Sequence, residues 1–88
     1  MQVIKRNCEL ADFDNSKIEK AILKAMINGS GITKPLIAKN IASEIEEEFS
    51  QSDDIPIHEI EESVFNKLIA KKQKLTAKAY ESYRSIRE

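Results

Sequence analysis

Apolar positions change their period along the chain. In the first residues Val3 and Lys5 alternate with Ile4 and Arg6, and Leu10 to Phe13 can return as a second strand after Asn7-Cys8, so the pattern predicts a β-hairpin over about 2–13. Asn7 tolerates a positive φ, whereas the Cβ of Cys8 resists it, which makes this a weaker turn than Asn-Gly. From residue 15 onward the period is helical. Ile18, Ala21, Ile22, Ala25 and Met26 fall at i, i+3, i+4, i+7 and i+8 and predict a helix over about 15–28, ended by Asn28-Gly29-Ser30-Gly31. Asp14, Asn15 and Ser16 are all good N-cap types, and Ser16 with Glu19 has capping-box spacing.

Pro35 suits the first turn of a second helix, over about 34–49, in which Ile37, Ile41, Ile45 and Phe49 recur every four residues beside Ala38 and Ala42. Asp54 as a cap and Pro56 in a first turn predict a third over about 56–71. Its stripe is Ile57, Ile60, Val64, Phe65, Leu68 and Ile69, and it closes on Lys71-Lys72 at the negative end of the helix dipole. Leu75, Ala79, Tyr80, Tyr83 and Ile86 form a last helical face, over about 75–87. The expected fold is one domain, residues 1–88, mainly α within a small α+β class: an N-terminal β-hairpin packed on a four-helix bundle.

Composition narrows what such a fold can do. The 88 residues are 41% hydrophobic and 33% charged, a globular balance, and a chain this short buries only about 60 to 65% of its surface on folding, leaving little room for a deep catalytic cleft. Cys8 has no disulfide partner, and one His with one Cys makes no zinc-ligand set, so no metal site is expected. No apolar run approaches a membrane span and no basic-then-apolar leader is present, which points to a soluble, cytoplasmic chain without a membrane partner. A formal net charge of -1 disfavours general nucleic-acid binding, which draws on a basic surplus.

No residue set supports an enzyme. His58, beside Glu59 in a first turn, reads more plainly as an exposed, cap-adjacent side chain than as a catalyst, and Cys8 as an incidental turn residue. The acids Glu44, Glu46, Glu47 and Glu48 read as a solvated helix face, and Glu59, Glu61 and Glu62 suit a helix start. The cations are more informative. If the hairpin packs between the first and last helices, Lys5, Arg6, Lys17, Arg84 and Arg87 can surround one small polyanion, with the N-terminal amides of the first helix as further donors. The same five residues can also be scattered surface charges offset by nearby acids.

Val3-x-Lys5-Arg6, then Phe13-Asp14-x-x-Lys17-Ile18-x-x-Ala21-Ile22-x-x-Ala25, and finally Tyr80-x-x-Tyr83-Arg84-x-x-Arg87, resemble the ATP-cone domain over nearly the whole chain. That resemblance implies an allosteric nucleotide-binding domain, with ATP or dATP as effector and Mg²⁺ as an accompanying ion, and no catalysis by this chain alone. It implies that Val3 lines the base or sugar region and that Lys5, Arg6 and Lys17 meet phosphate. Asp14 belongs to the same motif, Ile18 and Ile22 pack on the nucleotide, and Tyr80, Arg84 and Arg87 close the site from the last helix.

Cones of this type lead ribonucleotide reductases, where they sense adenine nucleotides and control overall activity; a further copy follows a zinc ribbon in a repressor of reductase genes. With Met1 directly before the motif and no Cys-x-x-Cys ribbon ahead of it, the chain looks most like the N-terminal regulatory domain of an anaerobic ribonucleoside-triphosphate reductase. The implied partners are adenine nucleotides, the reductase catalytic domain and other cones in an oligomer. Two departures stand out: the family's Lys-Arg-Asp-Gly reads Lys5-Arg6-Asn7-Cys8, and an acid three residues before Asp14 is replaced by Ala11, with Glu9 and Asp12 as the neighbouring acids that can substitute for it. The alternatives kept open are the cone of an aerobic class I reductase large subunit, a cone-like protein-interaction module with a degenerate nucleotide site, a repressor's cone and, against the charge balance, a DNA-binding helical domain.

Overall fold

The computed structural model describes residues 2–87, with side chains from Gln2 to Ser82. The described residues form three short strands, β1 (Gln2–Ile4), β2 (Leu10–Asp12) and β3 (Asp54–Pro56), and four 14-residue helices, α1 (Asn15–Asn28), α2 (Pro35–Glu48), α3 (Ile57–Ala70) and α4 (Lys74–Arg87). α1 packs on α2 and α4, and α3 closes the ring by packing on the same two helices. The fold is thus the expected small α+β arrangement of a β-hairpin on a four-helix bundle, with one strand added. Each helical stripe is buried along its centre: Ile22, Met26, Ile41, Ile45, Val64 and Leu68 have no solvent contact. Burying an aliphatic side chain of this size stabilises by about 1.5 to 3 kcal/mol, so these positions supply most of the driving force for closure.

The added strand corrects the reading of residues 54–56 as a cap and a first helical turn. β3 lies parallel to β1 with Ile55 opposite Val3, and β2 lies antiparallel on the other side with Ala11 opposite Val3, giving the order β2-β1-β3. Ile55 is fully buried, and the Gln2 amide donates to the Asp53 carbonyl at 2.9 Å. Pro56 is tolerated because β3 is an edge strand, and its extended backbone then serves as the N-cap of α3. A parallel neighbour needs a long crossover, which β2, α1 and α2 provide between them.

The hairpin turn also differs from expectation. The Cys8 amide donates to the Lys5 carbonyl at 2.9 Å and the Lys5 amide to the Glu9 carbonyl at 2.8 Å, closing a three-residue loop. The positive φ of such a loop falls on its last residue, so Cys8 at φ 69°, and not Asn7, occupies the left-handed region. Asn7 contributes through its side chain, whose Oδ1 accepts from the Glu9 amide at 3.1 Å. At the start of α1 the cap is Asp14, which accepts from the Ser16 amide at 2.9 Å and the Ser16 hydroxyl at 2.7 Å, so Ser16 is spent on Asp14 and does not form a capping box with Glu19. At the far end of α1 a Cβ on Gly29 would lie 2.6 Å from the Leu75 carbonyl, so only glycine lets α4 begin against α1.

Two substitutions test this account. Cys8→Gly relieves a left-handed residue and should stabilise the protein by about 1 kcal/mol in urea unfolding, with the native hairpin intact. Thr76 is buried, and its Oγ1 has no hydrogen-bond partner among the described residues. Thr76→Val should therefore raise stability by about 1 kcal/mol, whereas a loss of that size would mean that the hydroxyl is satisfied in solution.

Candidate functional site

A cleft of about 550 Å³ opens between the hairpin, the first two turns of α1 and the start of α3, and Tyr80 of α4 reaches its floor. Three periodicities bring its walls together. Along β1 and the residue that follows it, alternation puts Val3 and Lys5 on one side, with Ala11 opposite Val3 on β2. On α1, Asp14, Lys17, Ile18 and Ala21 follow one another at helical spacing along one face. On α3, Ile57, Ile60 and Glu61 do the same.

The floor is apolar and the rim is charged. Val3, Ile60 and Tyr80 are buried beneath the cleft and belong at the same time to the hydrophobic core, with Ile18 and Ala21 half-buried beside them. Lys5, Arg6 and Lys17 stand on the rim, exposed. Three carboxylates, Asp12, Asp14 and Glu61, share the lining with them. The Arg6 guanidinium donates to Glu61 Oε1 at 2.6 Å, tying the hairpin turn to α3. Arg6, with Lys5 and Ile57, also borders a second, shallower depression of about 430 Å³ that includes Ile4, Pro56 and the exposed His58.

Of the residues singled out from the sequence, the structure brings Val3, Lys5, Arg6, Asp14, Lys17, Ile18 and Tyr80 to this one cleft. Ile22 is not among them: it lies wholly in the core, one turn beyond Ile18, where α1 meets its helical neighbours. The side chains of Arg84 and Arg87 lie outside the described residues. The helix N-terminus also contributes less than expected, because the Ser16 amide is taken by the Asp14 carboxylate and the Lys17 amide donates to the Asp14 carbonyl at 3.1 Å. α1 therefore offers the cleft the Lys17 ammonium in place of those two amides. Sequence reasoning missed the α3 wall. The Ile57, Ile60, Glu61 spacing was visible as a stripe edge, but no local signal links it to a hairpin about fifty residues away.

An apolar floor beneath a rim that carries cations suits a ligand that has an unsaturated or ring portion and an anionic portion. Among the described residues no group of three or more His, Cys, Asp or Glu side chains could hold a metal ion on its own.

The Asp14 carboxyl is held below its ordinary value of 3.8, first by the Ser16 hydroxyl, then by the Ser16 amide, with smaller help from Lys17 and Lys20. A depressed folded-state pKa contributes stability that is complete above 3.8 and lost as pH falls through the lower folded value. Thermal melts from pH 5 to pH 2.5 should accordingly show wild type losing stability more steeply than Asp14→Asn below about pH 3.8, because Asn keeps an acceptor for Ser16 and does not titrate. Parallel curves would remove this linkage.

A family model described as the ATP cone domain matches residues 1–88. No curated protein matches the chain.

Proposed function

The chain belongs to the ATP-cone family, and on that premise we propose that its cleft binds ATP or dATP and reports the occupancy to a ribonucleotide reductase. The family is one of allosteric, nucleotide-binding regulatory domains that take adenine nucleotides as effectors. The observation that carries the placement is convergence: Lys5 and Arg6 from the hairpin and Lys17 from α1 meet at the rim of a single cleft with an apolar floor. In this reading the adenine and ribose rest on Val3, Ile18 and Tyr80, and the phosphates run outward to the three cations. The family resemblance assigns Arg84 and Arg87 to the phosphate end as well. Ile22 acts from behind, by holding Ile18 and the floor in place. Mg²⁺ enters on the phosphate oxygens, as a small hard cation that keeps most of its water usually does.

Chemistry belongs to the larger enzyme and not to this chain. We take the domain to span residues 1–88 and to work in the cytoplasm, leading an anaerobic ribonucleoside-triphosphate reductase whose overall activity it sets in concert with other cones. Among the described residues no helix is long and apolar enough to cross a membrane. A reductase reading frame continuous with Glu88 tests the parent directly.

Regulation requires that ATP and dATP bind two states of the assembly with different affinity, and couplings of about 1 to 3 kcal/mol suffice. The two effectors differ by one ribose hydroxyl, so the discrimination must arise where a hydrogen bond is made to one and lost with the other. The Cys8 departure does not weigh against binding, since the turn closes with its hydrogen bonds in place. Ala11 has a different effect. It faces Val3 across the sheet and lines the cleft without a carboxylate, so an acid that reads the base from that position is replaced by open space. This observation favours the second reading, a cone-like interaction module whose nucleotide site has decayed.

Calorimetric titration with ATP, dATP and AMP separates the two. ATP and dATP should bind and AMP should bind more weakly. Lys5→Ala or Lys17→Ala should each lower triphosphate affinity by about 1.5 to 3 kcal/mol while leaving the helical circular dichroism unchanged, since both side chains are exposed. Wild-type affinity in either variant removes that residue from the site, and no binding of any nucleotide by the wild type supports the decayed module.

A further inference from the structure

Resting on the nucleotide reading of the cleft, we propose that Glu61 is a built-in competitor for the phosphate chain: it holds Arg6 until a polyphosphate takes the guanidinium over. The contact is short, 2.6 Å, with the Glu61 side chain 13% and the Arg6 side chain 31% exposed, so water screens it less than it does a fully exposed pair. Arg6 presents a planar fork of donors that fits a phosphate as well as it fits a carboxylate. Both groups line the cleft, so an anion that reaches Arg6 there meets Glu61 as a negative neighbour.

The other two lining acids are placed differently. Asp14 is committed to the Ser16 amide and hydroxyl at the start of α1. Asp12 is exposed at the end of β2, where water screens it. Among the described residues Glu61 is therefore the lining carboxylate within ion-pair distance of a rim cation. Two consequences follow from its position. A triphosphate carries more charge than a monophosphate and can engage more than one of the rim cations Lys5, Arg6 and Lys17, so it displaces the Glu61 carboxylate more readily and Glu61 widens the gap between the two ligands. The exchange also releases α3 from the hairpin turn, converting occupancy of the cleft into the loss of a specific tie between two elements.

The test is calorimetric titration of ATP and AMP, with inorganic tripolyphosphate as a probe lacking the base, into wild type, Glu61→Gln, Arg6→Gln and the double variant. Glu61→Gln keeps the shape and an acceptor for Arg6 but removes the charge. It should tighten ATP and tripolyphosphate binding by about three- to tenfold and AMP by less, and Glu61→Ala should move in the same direction. In the Arg6→Gln background the same change should give less than about a twofold gain, because the competitor acts through that guanidinium.

Equal or weaker ATP binding by both Glu61 variants, with wild type binding normally, overturns this inference and leaves the nucleotide reading standing. An undiminished gain in the Arg6→Gln background also overturns it, since Glu61 would then act only as a general repulsive charge. Binding by Glu61→Gln where wild type shows none supports it in its strongest form. Failure of every variant and of wild type to bind any of the three ligands sinks both readings together.

Discussion

β1 is hydrogen-bonded on both sides, and its register fixes where the chemistry of this domain can stand. Val3 pairs with Ala11 on one flank and with Ile55 on the other, and burial of Val3 and Ile55 pins that register against the helices. A slip of one residue would carry Val3 out of the core and turn Lys5 to the opposite side of the sheet. Three residues of strand are little to hold such a choice. The parallel partner β3 therefore matters more than its length suggests: it gives β1 a second edge and joins the hairpin to the bundle through the start of α3.

The size of the chain imposes an economy that shapes the site. With so few apolar residues, Val3, Ile60 and Tyr80 serve as core and cleft floor together. Substitution at these positions disturbs the core and the cleft floor at once, so a loss of affinity there would carry little information about contact. The rim is separable. Lys5 and Lys17 are exposed and gain nothing from helix packing, so their presence beside the apolar floor asks for an explanation outside folding.

What was legible in the sequence follows from how each feature is encoded. The four helices were readable because Ile18 to Met26, Ile37 to Phe49, Ile57 to Ile69 and Leu75 to Ile86 repeat over three or more turns, long enough for a period to declare itself. β3 has one inward residue, Ile55, between an acid and a proline, and its pairing with Val3 is some fifty residues distant, so local pattern made it a helix start. Residue preference places the left-handed position on Asn7, yet the number of residues in the loop decides it, and that number assigns it to Cys8. For the site, spacing made α1's contribution plain. The grouping of Ile22 with Ile18 rests on the family resemblance, and spacing alone does not say where on the wide apolar face of α1 the cleft ends; Ile22 lies beyond it, in the core. The α3 wall, and with it Glu61, depended on a tertiary contact that no short-range rule contains.

Surface ion pairs elsewhere help to show which interactions the fold needs. Lys67 reaches Glu48 at 3.1 Å and Lys71 reaches Glu44 at 3.0 Å, while Ser63 donates to Glu48 at 2.8 Å, forming a ladder between α2 and α3. For Glu48, partial burial raises the carboxyl pKa, but Ser63 and Lys67 outweigh it and the net shift is downward. Such partly exposed pairs are typically worth about 0 to 1 kcal/mol each, far less than the buried stripes they border. Arg6 and Glu61 belong to the same energetic class as seen from the fold, although they stand at the mouth of the cleft. Since the core, and not this contact, holds the hairpin against α3, the protein can give the contact up and remain folded. A charge pair that the fold can spare, placed on the lining of a cleft, is an arrangement that would let a bound ligand rearrange contacts without unfolding what surrounds them.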